Sequence, residues 1–466
     1  MSRGQVIAHL YLGLISLPFL WLSNDSGFLA ALCLLDVVSF GLLLAQGLRR
    51  KSANLISPTL WALLGYLVFG QIPVILNVFV DVGSYDGYGS IPLMIRLILL
   101  GYRAMLAGIL LFLPKHADLS RRAVLRLPTA GVALTVTLIG ALARILIKNN
   151  IFSTGVEEIA WYHSFAFACT PIGISLAIAR TSQNKNEIRS FVFFLTVLLG
   201  AATALVDISR KDTGCVLLPI VLFLLFKVGP QRPFLVPTMS RLMRTAGVLL
   251  GLGALLMATR ALSWAFDKKT DLYSELRISM QERRANDMTN MLAFVLDVVP
   301  SSYPFLNGIT LGSLLPVPRV LWPGRPPAHS YIVGLQARHM SDLTYKQELT
   351  GNNQLSISAH MLGEGYANFG AVGAIGFEVA FGLLVGLYEL QIHRGKLTVL
   401  RILYPVILFF IFTQQRGDLA MMNTEWMMCA GMLWMFLRLN HWVTGPESRH
   451  TCRRYFHRRM PLAPYA

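Results

Sequence analysis

The chain has 466 residues, 54% of them apolar and only 14% charged, and its 41 Lys and Arg against 24 Asp and Glu give a net charge of +17. The apolar residues come in blocks of roughly 18–25 separated by short charged stretches, which excludes a water-soluble globular fold and, for want of strand alternation, a membrane barrel. A basic excess of this size would suit nucleic acid, but it sits in short connections and the tail, where membrane topology accounts for it and contact with anionic lipid adds to it; no nucleic-acid partner is expected.

Only helices and closed barrels satisfy their backbone in lipid, so the expected fold is an all-α polytopic membrane protein. About twelve transmembrane helices are predicted, near 5–22, 26–47, 55–79, 91–114, 127–147, 157–179, 190–206, 214–229, 243–264, 366–392, 397–413 and 418–439. Arg3 ahead of an apolar run has the look of a signal peptide, but no small-x-small cleavage site precedes Asn24, and the span is expected to stay as an anchor. With both termini inside, the inner connections hold Arg49, Arg50 and Lys51; Arg121, Arg122 and Arg126; Arg180, Lys185 and Arg189; Lys227, Arg232, Arg241 and Arg244; and Arg394, Lys396 and Arg401. The short outer connections around 22–26 and 80–90 hold no Lys or Arg, and this asymmetry puts the large loop at 265–365 outside. The chain thus divides into 1–264 (helices one to nine), the loop 265–365, 366–439 (helices ten to twelve) and a basic inner tail, 440–466. No repeat relates its halves, which counts against a carrier. Cys33, Cys169, Cys215, Cys429 and Cys452 all lie in spans or the tail, so the outer loop is not stapled by disulfides.

Intramembrane charge needs a reason, since each charge costs about 2.5–3.5 kcal/mol at a helix centre. In the fourth span Arg96 and Arg103 lie on one face, about 10 Å apart along the axis. Arg103 falls about as deep as Asp36 and Glu378, and an internal ion pair is expected for it. Arg96 lies nearer the outer surface, where an anionic ligand and a structural partner fit equally. Arg210 and Lys211 occupy a short outer turn, Asp207-Ile-Ser-Arg-Lys-Asp-Thr-Gly214, and Arg416 another, Thr413-Gln-Gln-Arg-Gly-Asp418. Positive charge there runs against the topology rule. Arg319 and Arg325 add guanidinium from Pro316-Val-Pro-Arg-Val-Leu-Trp-Pro-Gly-Arg-Pro-Pro327. Guanidinium binds phosphate oxygens through paired, charge-assisted bonds, so the four arginines are candidates for holding a phosphate group at the outer face.

The outer loop has two textures. Residues 267–299 are charged and then apolar at helical spacing, predicting amphipathic helices on the membrane surface, whereas 300–330 is too rich in Pro and Gly for regular structure. A short helix is predicted at 353–363, leading to Ala-His-Met-Leu-Gly-Glu-Gly-Tyr-Ala-Asn-Phe-Gly at 359–370 and so into span ten. Glu364 there is the candidate general base, between glycines that would let the backbone approach a substrate; the alternative is a carboxylate accepting backbone N–H groups at a helix start. His360, one turn earlier, is a second candidate. His360 with Glu364 gives only two metal ligands, and neither a metal nor a cofactor is expected. His329 and His339 are expected to be solvated. Gly382 and Gly386 form a G-x-x-x-G pattern that predicts close helix packing. No G-x-S-x-G, P-loop or dinucleotide fingerprint is present, and Asp25 in the first outer loop has no acidic partner.

Three runs resemble the bacterial oligosaccharide repeat-unit polymerases, the Wzy O-antigen and capsule polymerases: Pro-Arg-x-Leu-Trp-Pro-x-Arg-Pro at 318–326, Gly-Glu-x-Tyr-x-Asn-Phe-Gly at 363–370, and Ile-Ser-Arg at 208–210 opening a span. The family often has Lys where this chain has Arg325, and its arginine turn is flanked by small residues where Asp207 and Lys211 stand here. The resemblance implies a GT-C-like membrane glycosyltransferase of the bacterial inner membrane. It would transfer a glycan from undecaprenyl diphosphate to the end sugar of a lipid-linked repeat unit on the periplasmic face. A chain-length regulator and a flippase would be its partners. Arginines neutralising the departing diphosphate and one carboxylate accepting the hydroxyl proton would suffice. An O-antigen ligase, or a flippase or other carrier for the lipid-linked oligosaccharide, is the competing expectation.

Overall fold

A computed structural model describes residues 3–49, 54, 56–80, 89–114, 127–148, 156–183, 190–206, 210–226, 240, 243, 247, 251, 288–314, 321, 322, 324, 326, 329, 332, 333, 359–394, 398–417 and 419–443. Every regular element among these is a helix: α1 (Arg3–Ile15), α2 (Ser26–Arg49), α3 (Pro58–Tyr66), α4 (Ile72–Phe79), α5 (Ile91–Phe112), α6 (Ala130–Lys148), α7 (Val156–Gln183), α8 (Phe191–Val206), α9 (Arg210–Phe226), α10 (Met288–Val298), α11 (His360–Arg394), α12 (Thr398–Ile402), α13 (Tyr404–Thr413) and α14 (Leu419–Val443). Among the described residues, seven stretches are long and apolar enough to cross a bilayer: Arg3–Trp21, Ser26–Arg49, Pro58–Phe79, Ile91–Phe112, Ala130–Ile147, Ser164–Gln183 and His360–Arg394. They leave large apolar side chains on the outside of the bundle, such as Leu35, Leu42, Leu111 and Leu142, as lipid-facing helices do.

Proline placement explains the interruptions. Ser57 caps α3, accepting the Leu60 N–H at 3.1 Å, and Pro58 fills the first turn. Between α3 and α4 the chain widens into a π-turn, Leu67–Gln71, directly before Pro73, whose ring and missing N–H would otherwise break the ladder. Pro405 likewise opens α13, so the single span predicted at 397–413 is split into α12 and α13. The predicted ninth span, 243–264, and the tail lie mostly outside the described residues.

Two hydrophobic clusters organise the helices: α1 to α5 with α10 and α11, and α6 to α9 with α12 to α14. Small residues set the spacing in both. A Cβ on Gly108 of α5 would come within 2.6 Å of the Val379 carbonyl of α11, and one on Gly386 within 2.6 Å of the Ile109 carbonyl; Gly382 abuts the Met105 carbonyl. The Gly382–Gly386 pattern is therefore a packing seam, as expected. Gly173 of α7 does the same against Ala133 of α6.

The loop predicted to lie outside departs from expectation in three places. Residues 267–287 lie outside the described residues, but α10 does not rest on a surface: Thr289 to Ala293, Val295 and Leu296 are buried against α5 and α11. His329 is buried too, so it is not a solvated loop histidine; burial pushes its pKa down to about 4 and keeps it neutral. Of the helix predicted at 353–363, residues 353–358 lie outside the described residues; a helix starts at His360 and merges with span ten through a sharp break. Phe369 and Gly370 leave helical geometry, Gly370 at φ +65°, where a Cβ is disfavoured. The 301–314 segment has turns and a 3₁₀ turn, Ile309–Leu314, in keeping with its Pro and Gly content.

Candidate functional site at a re-entrant arm

The break at Gly370 reverses the chain. Gly365 packs against the backbone of Gly373, and a Cβ on Gly101 of α5 would touch both Leu362 and Glu378. Pairs 365/373 and 362/378 have nearly the same sum, which is the signature of two antiparallel segments. Residues 360–368 thus form a short arm that doubles back along 371–394 and puts His360 midway along α5. Non-regular backbone at such depth is tolerated only where protein or a cavity surrounds it. Here protein does: His360, Met361, Leu362, Glu364, Ala367 and Asn368 are all buried. The outer end of the arm is closed by the loop before it, since Leu306 N–H donates to the Ala367 carbonyl at 2.9 Å and Asn307 N–H to the Asn368 carbonyl at 3.1 Å. Asn368 ties the corner, accepting from Thr310 Oγ1 at 2.9 Å and donating to the Glu364 carbonyl at 2.8 Å.

Glu364 faces the connection between α13 and α14, where Gln414–Arg416 forms a 3₁₀ turn and Gly417 has φ +88°. A Cβ on Gly417 would sit 3.2–3.4 Å from the His360 backbone, so both conformation and space favour glycine there. The Glu364 carboxylate accepts the Leu419 N–H at 3.1 Å, satisfying one of the donors that open α14. Its flanking glycines make close contacts of their own: Gly365 meets Gly373, and Gly363 meets Ala359 and Leu292.

His360 is the more unusual neighbour. It is a non-glycine residue at φ +43°, fully buried, with Nδ1 accepting the Leu362 N–H at 3.2 Å and the ring edge-on to Tyr66 at 5.4 Å. Nε2 therefore carries the ring proton, and it has no hydrogen-bond partner among the described residues.

The arginines divide. Arg96 is committed to holding the α1–α2 connection: Nε donates to the Leu20 carbonyl at 2.8 Å, Nη2 to the Ser23 carbonyl at 3.0 Å and to Asn24, and the guanidinium stacks over Trp21. Arg103 is the expected ion pair, with Asp36 as its partner: Nη1 and Nη2 reach the two carboxylate oxygens at 3.0 and 3.3 Å. Its other donations go to Gly13, Leu99 and Ser16. Arg416 is exposed at the end of the 414–416 turn. Arg210 is the first residue of α9, its side chain outside the described set. Gly214 of that helix packs against the Phe409 ring of α13, which places the start of α9 about 6 Å, one turn, beyond the contact, at the level of the 414–416 turn. Arg319, Arg325 and His339 lie outside the described residues.

Sequence reasoning named Glu378 only as a carboxyl at the depth of Arg103, and did not place it at this turn. Glu378 is fully buried, and Oε2 accepts from Gln415 Nε2 at 3.0 Å. The adjacent glutamines Gln414 and Gln415 between two apolar runs were the signal, overshadowed by Arg416. Among the described residues no group of three or more His, Cys, Asp and Glu could hold a metal ion. No protein-family model, no curated protein and no solved structure matches the chain.

Proposed function

We propose that the chain is a twelve-span, GT-C-like membrane glycosyltransferase of the repeat-unit polymerase type. In this reading it lengthens a glycan by transfer from undecaprenyl diphosphate to a lipid-linked acceptor at the outer face of a bacterial inner membrane. The observation that carries the reading is the approach of two outer-face arginine positions: Arg416 ends an exposed turn, and α9 begins with Arg210 at the same level beside α13. Arginine positions from separate stretches brought to one level suit a diphosphate leaving group, whose charge must be held as the glycosidic bond breaks. Arg319 and Arg325 would add to the cradle from the preceding loop. Glu364 lies behind the same turn and is the candidate base for the acceptor hydroxyl.

The test is release of undecaprenyl diphosphate by purified protein given lipid-linked repeat units. Arg416→Lys and Arg210→Lys keep charge but lose paired donation, and each is expected to lower that release at least about tenfold. Glu364→Gln keeps an acceptor for Leu419 N–H, so folding should survive while the rate falls about 10²–10⁴-fold, the usual loss on removing a base. Activity near wild type in Glu364→Gln would return Glu364 to a purely structural role at the start of α14.

A carrier for the same lipid-linked oligosaccharide is the second reading, favoured by one observation. The 360–368 arm and the end of α13 meet inside the bundle close to buried Glu378, and broken helices with interior charge are a habit of transporters. Translocation of the lipid-linked substrate across vesicles without diphosphate release would favour it over the polymerase.

A further inference from the structure

Around the 414–417 turn the polar atoms do not balance as a set of ordinary neutral and ionised groups. Gln415 Nε2 donates to Glu378 Oε2 at 3.0 Å, while Glu378 Oε1 and Gln415 Oε1, both in fully buried residues, have no hydrogen-bond partner among the described residues. If Glu378 were ionised, its Oε1 and Gln415 Oε1 would both stay unpaired acceptors, each at a cost of about 1–3 kcal/mol or more, because the unpaired donors of this region, Gln414 Nε2 and His360 Nε2, bond neither of them. The buried Arg103 guanidinium does not offset this, being bonded to Asp36, Gly13, Leu99 and Ser16. A neutral carboxylic acid removes the conflict. With the proton on Oε1, acid and amide bond reciprocally, Nε2–H to Oε2 and Oε1–H to the Gln415 oxygen, and both orphan acceptors are satisfied at once.

We propose that Glu378 and Gln415 form an internal proton-binding site, closed by Tyr66 and His360, whose proton locks the 414–417 turn onto α11. Tyr66 is in place because Gly101 leaves room: a Cβ there would come within 2.5 Å of the Tyr66 hydroxyl and 3.2 Å of Glu378 Cγ. The Tyr66 hydroxyl donates to the Ile98 carbonyl at 2.7 Å, so it does not donate to Glu378. His360, stacked edge-on against Tyr66, forms the outer wall and approaches Gly417 through its backbone.

Ionisable groups on elements packed around Glu378 include Arg96, Tyr102 and Arg103 on α5, Asp297 on α10, Glu364 on the arm and Arg416 on the turn, with Asp36 and Cys33 of α2 on the far side of α5. A metal ion fits poorly, because the Gln415 amide N–H already occupies one carboxylate oxygen and the remaining protein oxygens are too few for a cation shell. The ligand is the proton itself, exchanged with water at the exposed Arg416 end of the turn. The site needs no assumption about glycan transfer. It predicts a turn whose seating is lost when the proton leaves.

The experiment is infrared spectroscopy of the full chain in lipid nanodiscs at neutral pH. A protonated-carboxyl stretch should be present, should vanish in Glu378→Gln and should persist in Glu364→Gln. Glu378→Gln replaces the acid–amide pair by an amide–amide pair of the same geometry, so it is expected to fold. Should it not, wild-type protein treated with dicyclohexylcarbodiimide, an apolar reagent that attacks protonated carboxyls, answers the same question. An adduct on the peptide carrying Glu378 supports the site, and adducts confined to other carboxyls overturn it. A protonated band left unchanged by Glu378→Gln also overturns it, as does a band abolished by adding sodium at fixed pH, which would mark a metal-ion site.

Discussion

At the scale of single residues, buried charge is a cost this bundle carries, and at Arg103 it is met by complete pairing. All five N–H donors of Arg103 have acceptors in its bonds to Asp36, Gly13, Leu99 and Ser16, and Gln71 adds a bond of 3.0 Å to Asp36. Removing one partner strands the other. Arg103→Met is therefore expected to destabilise by about 3–5 kcal/mol, and Asp36→Leu in the same chain to restore most of that loss, as read from thermal unfolding in nanodiscs. His329 gives a pH signature of its own. Its folded pKa of about 4 lies below the ordinary 6.5, so the unfolded chain binds the proton first as pH falls. Stability should be flat above about pH 6.5 and decline between there and about pH 4, by at most about 3 kcal/mol, and His329→Leu should flatten that slope. Arg103 was readable from sequence because an arginine deep in an apolar run demands a partner; that the partner is Asp36 instead of Glu378 depends on helix rotation, which apolar spans with little amphipathic contrast do not encode. Burial of His329 was unreadable for a related reason, since a histidine among prolines carries no periodicity.

At the scale of elements, apolar length made the spans visible, while their interruptions followed from backbone chemistry that length does not report. Span ten is expected to start at 366, yet Gly370 at φ +65° ends an arm at 360–368 and starts the span after it. The same glycine-rich segment supplies the α5–α11 seam. Gly382→Ala would drive a Cβ into the Met105 carbonyl, which is backbone and cannot swing aside. The expected loss is about 1–3 kcal/mol through separation of the two helices, with Gly376→Ala, which meets nothing within 4 Å, as the neutral control. The G-x-x-x-G spacing announced this seam correctly. For Glu364 the sequence posed a base against a helix-start carboxylate, and the geometry adds the specific N–H it accepts, that of Leu419, fifty-five positions away in the chain.

At the scale of the whole molecule, the charge asymmetry predicts both ends of the chain on the inner side and the 265–365 loop outside. Reporter fusions after Tyr273 and after Gly445 should give outside and inside signals respectively; an inside signal after Tyr273 would move the candidate site to the other face of the membrane. Much of the helical class was legible, because bilayer thickness imposes a length that hydropathy reads directly. The candidate site was legible only in pieces: Glu364, His360 and Arg416 were singled out in two separate runs, and their meeting depends on a chain reversal that hydropathy cannot see.

The bond from Glu364 to the start of α14 also imposes an order of events during biosynthesis. At about 5–20 residues per second, the 55 residues between them take roughly 3–10 s to emerge, and through that interval the arm has no last helix to receive its carboxylate. Until α14 is made, the arm keeps its contacts with α10 and the 306–307 backbone. α14 is thus the keystone of assembly, since before it the Glu364 carboxylate lacks the Leu419 N–H.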